Sequence, residues 1–269
     1  MRFHYIFLLS CFLLLSACAS DGELNPTEAT ADEIYAEAAE ALENGENERA
    51  AELFGEVERQ YPYSVLATQA QLQAAFALYE TGKYDEAILA LDRFIDLHPG
   101  NRDIDYAYYI RALSYYEQIA DVRRDQSLTK NSLDAFNTLI NRFPESKYTR
   151  DATLKRDLAL DHLAGKEMEI GRYYLQQKQV NAAINRFLVV VRNFQTTTHV
   201  PEALHRLVES YLTLGLTEEA YKIAAVLGHN YPGSEWYEAS YNLLDPETRE
   251  RILSERNWFD RTIDSLLTR

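Results

Sequence analysis

The chain has 269 residues, 42 of them acidic against 27 basic, for a formal charge of −15 at neutral pH. Such an acidic chain is excluded as a charge-driven binder of nucleic acid or anionic lipid, because phosphate neutralisation needs clustered Lys and Arg. With only 7 Pro and 10 Gly, and frequent Ala, Leu, Glu and Gln, the composition favours helix over one large or two small domains.

The N-terminus opens with Arg2 and His4, followed by an apolar run from Tyr5 to Leu15 broken only by Ser10 and Cys11. That run is too short to span a bilayer, which needs ~20 apolar residues, but has the length of a signal-peptide core. Small residues Ser16 and Ala17 then precede Cys18. The segment Leu15-Ser16-Ala17-Cys18 resembles a bacterial lipobox, which implies that residues 1–17 are cleaved and that Cys18 carries lipid. Cleavage would leave Cys18 as the lone cysteine, without an intramolecular disulfide partner. Each buried methylene contributes ~0.8 kcal/mol and one acyl chain holds only marginally, so the three chains the resemblance implies would anchor the protein durably. Ala19, rather than Asp, follows the cysteine. That resembles sorting to the outer membrane. Residues 18–30, small, polar and proline-containing, read as a flexible tether.

From Ala31 onward five segments share one phase. They end at Tyr61-Pro62, His98-Pro99, Phe143-Pro144, Phe194-Gln195 and Tyr231-Pro232. Eleven residues before each aromatic or His sits a small residue: Ala50, Ala87, Ser132, Ala183 and Ala220. Gly45, Gly82 and Gly215 fall five residues earlier still. The pattern resembles the tetratricopeptide repeat, in which a glycine turns the chain, a small residue lets two helices touch, and proline stops the second helix. The predicted fold is therefore all-α: a tetratricopeptide-repeat solenoid of five helix-turn-helix units.

The small residues are spaced 37, 45, 51 and 37 apart. The first surplus points to a longer loop at Asp121–Leu128 in the third unit. The second, between Tyr148 and Lys166, is polar-apolar at helical spacing without proline, and predicts an extended first helix in the fourth unit, longer by ~20 Å. This divides the repeats into residues 31–147, a substrate-side module, and 148–245, a partner-side module. Residues 246–269 open on Pro246 and place Ile252, Phe259, Ile263 and Leu266 on one face. They read as a C-terminal amphipathic capping helix over the last repeat.

In the third unit, Tyr106, Tyr109, Ile110, Leu113 and Tyr116 share a stripe expected to pack between repeats. Tyr108, Ala112 and Tyr115 form a second stripe, expected to line a concave peptide groove. In the fourth, Ala183, Ile184, Phe187, Val190, Val191 and Phe194 read as buried. That leaves Leu188 and Val189 as an apolar strip beside Arg186 and Arg192, a composition suited to a partner interface.

No motif for catalysis is present: no Gly-x-Ser-x-Gly, phosphate-binding glycine loop or His-Glu-x-x-His. The histidines after the leader, His98, His162, His199, His205 and His229, never pair at i, i+3 or i, i+4, so no helix face offers two metal ligands. No cofactor beyond the lipid is expected.

Taken together, leader, tether and repeats resemble the BamD family of lipoproteins, subunits of the machine that folds β-barrels into the bacterial outer membrane. The segments that carry the resemblance are "ADEIYAEAAEALENGENERAAELF", "ALDRFIDLHPGNRDIDYAYYIRAL", "FPESKYTRDATLKR" and "AAINRFLVVVRNFQTT". The resemblance implies a scaffold on the periplasmic side of the outer membrane, with a BamA POTRA domain, other Bam lipoproteins and unfolded outer-membrane protein precursors as partners. It implies that Arg186, in "AAINRF", contacts BamA. The same repeat pattern also serves periplasmic adaptor lipoproteins of peptidoglycan, Tol or pilus machinery, which stand as the rival class. A glycan-cleaving lipoprotein would need a further domain, and the repeats leave no room for one.

Overall fold

The computed structural model describes residues 29–244. Among these residues the chain forms eleven helices and no strand. They belong to two compact units that part between Ala74 and Ala75.

The first unit holds α1 (Ala31–Glu43), α2 (Asn47–Gln60) and the beginning of α3 (Val65–Glu80). Thr30 and Glu33 start α1 with a reciprocal capping box: the Glu33 amide donates to the Thr30 hydroxyl, and the Thr30 amide donates to the Glu33 carboxylate at 2.8 Å. Ala38 and Ala50 are fully buried where α1 and α2 meet, and the Phe54 ring stands edge-on to Tyr35 at 5.2 Å. A larger residue at Ala50 would cost about 1–3 kcal/mol in overpacking.

The second unit continues with the end of α3, then α4 (Tyr84–Leu97), α5 (Ile104–Tyr116), α6 (Ser127–Arg142), α7 (Thr149–Gln176), α8 (Val180–Asn193), α9 (Val200–Thr213), α10 (Thr217–Asn230) and α11 (Glu235–Leu243). From α4 onward each helix packs on the next in the chain. The predicted punctuation is present at every unit. All five small residues, Ala50, Ala87, Ser132, Ala183 and Ala220, are fully buried. Tyr61, His98, Phe143, Phe194 and Tyr231 all leave the helical region at the same place, with φ between −126° and −135°.

Phe194 does so without a following proline. Its carbonyl accepts the Thr197 amide, the same turn made in the other four repeats, and here the Thr197 hydroxyl as well. Gly45, Gly82 and Gly215 sit at φ +72° to +76° in the turns, where a glycine has no steric penalty. The fourth unit places Lys178 in that slot, at φ +59°.

The expected insertions are also found. The chain between α5 and α6 is a longer loop, and α7 runs 28 residues, about 42 Å at 1.5 Å per residue. Gly171 lets α8 approach α7, since a Cβ there would lie 2.4 Å from the Phe187 ring. Over α9 and α10 lies α11. Ser234 caps it, and Trp236, Tyr237 and Leu244 pack against the core. The amphipathic segment 246–269 lies outside the described residues.

Candidate interaction surfaces

On α5 both tyrosine stripes are drawn into packing. Tyr108 and Ala112, expected to line a groove, are in the packed interior at 5% and 0% exposure. The Tyr108 hydroxyl accepts from Arg142 at 2.7 Å, and the Arg111 and Arg142 guanidinium groups lie over its ring. Of the three groove residues only Tyr115 keeps surface. In the other stripe Ile110 and Leu113 are buried as expected, and Tyr106, Tyr109 and Tyr116 are half-buried.

Tyr106 and Tyr109 belong to an aromatic cluster gathered from the end of α3, from α5 and from the start of α7, whereas Tyr116 meets Phe136 on α6. Tyr106 contacts Phe76 at 6.1 Å and Tyr148 at 5.3 Å, and Tyr109 stacks on Tyr148 at 4.7 Å. Tyr79 joins through Phe76 and Tyr84. The Tyr109 phenol donates to Asp151 at 2.7 Å. Burial pushes the Tyr79 phenol up to about 12, helped by the Glu117 carboxylate. Burial, then the bond to Asp151, pushes Tyr109 up as well. These phenols therefore stay protonated at neutral pH, as hydrogen-bond donors on a half-exposed aromatic surface.

On α8 the stripe Ala183, Ile184, Phe187, Val190 and Val191 is buried as expected, with Phe194 packed at its end. Leu188 is less free than its position suggested: it packs against the core, and Val189 and Arg192 are half-buried. Arg186 stays 40% exposed, with one arm donating to Glu167 on α7 at 3.0 Å. It thus projects beside the long helix, held but accessible. Cys18 lies outside the described residues.

A second polar group ties α11 to α9. The His205 ring is buried, with Nδ1 2.8 Å from the Ser240 hydroxyl and Nε2 3.4 Å from Glu209. Serine, histidine and carboxylate stand in line, and Ser240 is fully buried. With Nε2–H donating to Glu209, Nδ1 accepts from the serine, and both helices are joined. The bond from His205, with Arg206 close by, holds the Glu209 carboxyl at about 2. No group of potential metal ligands occurs among the described residues, and no helix among them is long and apolar enough to cross a membrane.

Residues 27–227 match the family of outer membrane lipoproteins named YfiO. The chain is 49% identical to the outer membrane protein assembly factor BamD of Rickettsia prowazekii over 237 residues, covering 88% of this chain and 94% of that one. Identity to the BamD of Caulobacter vibrioides is also 49%, over 79% of this chain and 70% of the relative. For the BamD of Neisseria meningitidis serogroup A it is 34%, over 84% and 90%. A solved tetratricopeptide repeat protein from Parabacteroides merdae is similar at 17% identity, with a TM-score of 0.39, over 88% of this chain and 78% of that one. With its repeats matched from the first helix into the tenth, the chain belongs to the YfiO family of outer membrane lipoproteins, the family of the BamD assembly factors.

Proposed function

We propose that this chain is a non-catalytic scaffold of the outer-membrane β-barrel assembly complex, held on the periplasmic face by lipid on Cys18. Its partner-side module, residues 148–245, contacts a BamA POTRA domain through Arg186, with Leu188, Val189 and Arg192 around it. Its substrate-side module, residues 31–147, receives unfolded outer-membrane protein precursors. The observation that carries this reading is the relation to BamD assembly factors along most of the chain. The geometry supports it in two ways.

Arg186 offers a guanidinium that is positioned by Glu167 yet remains exposed, a form suited to exchange onto a partner carboxylate. The half-buried tyrosines give a broad, rigid aromatic surface, which takes extended chains through apolar area and backbone hydrogen bonds. Tyr79, Tyr106, Tyr109 and Tyr148 replace Tyr108, Ala112 and Tyr115 in that role.

The test is co-purification of a tagged chain from detergent-solubilised envelopes. Arg186→Glu is expected to lower recovery of BamA by about tenfold, since it sets two carboxylates against each other at the contact. BamA recovery equal to wild type would remove Arg186 from the interface.

A further inference from the structure

A cavity of about 690 Å³ opens in the second unit, where the loop between α5 and α6 lies against α6, α7 and the end of α8. Arg123, Arg124, Lys130 and Lys166 line it, with Asp125 and Glu167 as the opposing charges. In a chain of formal charge −15 this is a local reversal of sign. Both carboxylates are already engaged. Glu167 accepts from Arg186, and Asp125 accepts from the hydroxyl and amide of Ser127, bonds that hold its carboxyl below the usual range.

Two of the cations are committed as well. The Lys166 ammonium donates to the carbonyls of Arg123 and Arg124 at 2.8 and 3.4 Å, and Arg123 lies 3.8 Å from Glu169. Arg124 and Lys130 are exposed, and neither lies within ion-pair distance of a carboxylate among the described residues, although Lys130 acts on Asp125 through space.

The wall that presents them is a built one. Gln126, only 9% exposed, donates its amide to the carbonyls of Val122 and Arg124 and accepts from the Thr129 hydroxyl. Together with Lys166 this fixes the loop against α7. Leu163, Ile170 and Phe194 supply an apolar side to the same cavity.

We propose that this cavity binds an acidic peptide segment of a partner protein, with a carboxylate side chain on Arg124 and Lys130 and a neighbouring apolar side chain against Leu163, Ile170 and Phe194. Guanidinium and ammonium together suit a carboxylate. A free phosphate would leave Leu163, Ile170 and Phe194 uncovered, whereas a peptide alternating acidic and apolar residues meets both linings.

The probe is a fluorescein-labelled peptide, Gly-Asp-Leu-Glu-Phe-Asp-Gly, titrated with the full chain in detergent and followed by fluorescence anisotropy. Its counterpart carries Asn and Gln for the acidic residues. The acidic peptide should bind, and Arg124→Glu and Lys130→Glu should each weaken it about tenfold. The same reversal at Lys222, on α10 and paired with Glu219, should leave binding unchanged. Melting curves would establish that all three variants fold. Equal binding of the neutral peptide, equal loss in Lys222→Glu, or no binding of the acidic peptide would overturn the proposal. So would binding that depends on Arg124 and Lys130 but occurs only on phosphatidylglycerol vesicles, which would assign the cavity to a lipid headgroup.

Discussion

Tyr109 joins two properties that a peptide-binding surface needs. It is fixed by stacking on Tyr148, a contact contributing about 0.5–1.5 kcal/mol beyond buried area, and by its bond to Asp151. It is also half exposed. Tyr109→Ala should weaken binding of a peptide from an unfolded outer-membrane protein by about 5–30-fold, the effect of losing an aromatic anchor of 1–2 kcal/mol. Fluorescence anisotropy with the full chain in detergent measures this, and unchanged affinity would place the peptide elsewhere. Glu209 makes a prediction in pH. Its folded pKa, about 2, lies below the ordinary 4.5, so its contribution is complete above about pH 4.5 and is lost as pH falls toward 2. Glu209→Gln should therefore narrow the gap between melting temperatures at pH 7 and pH 3. An unaltered gap would mean that the contact with His205 and Arg206 does not govern acid stability.

Among the helices, what was legible in the sequence was the punctuation. Small residue, aromatic and proline recur at fixed spacing because each is dictated by local geometry: a close crossing, a chain leaving the helix, a missing amide. The long α7 was legible for the same reason, as a surplus in that spacing. The faces of α5 were not. In "IDYAYYIRALSYY" apolar or aromatic residues occur at nearly every turn position, and such a helix packs against neighbours on two sides, so one stripe is not the only buried one. Nothing in a wheel diagram distinguishes Tyr108, which Arg142 reaches from α6, from Tyr109, which faces α7. The turn before α8 carries an element-scale prediction. Lys178 occupies a left-handed position that three other turns give to glycine. Lys178→Gly should stabilise the chain by up to about 1 kcal/mol, since the strain on a side chain there exceeds the entropy lost by glycine. Chemical denaturation would test it, and a lower midpoint would show that the Lys178 side chain contributes more than its backbone costs.

At the scale of the whole molecule, the proposal divides the work: a lipid on Cys18 would hold the protein to the membrane, while the charge of −15 would discourage nonspecific association. The central claim, a lipid-anchored scaffold of barrel assembly, is tested most directly by purifying the tagged chain from detergent-solubilised envelopes and identifying its companions by mass spectrometry, beside a Cys18→Ala variant fractionated in parallel. The account predicts a stoichiometric large barrel protein with periplasmic repeat domains, and a Cys18→Ala chain that leaves the membrane or stays as uncleaved precursor. Peptidoglycan, Tol or pilus components without such a barrel would contradict it.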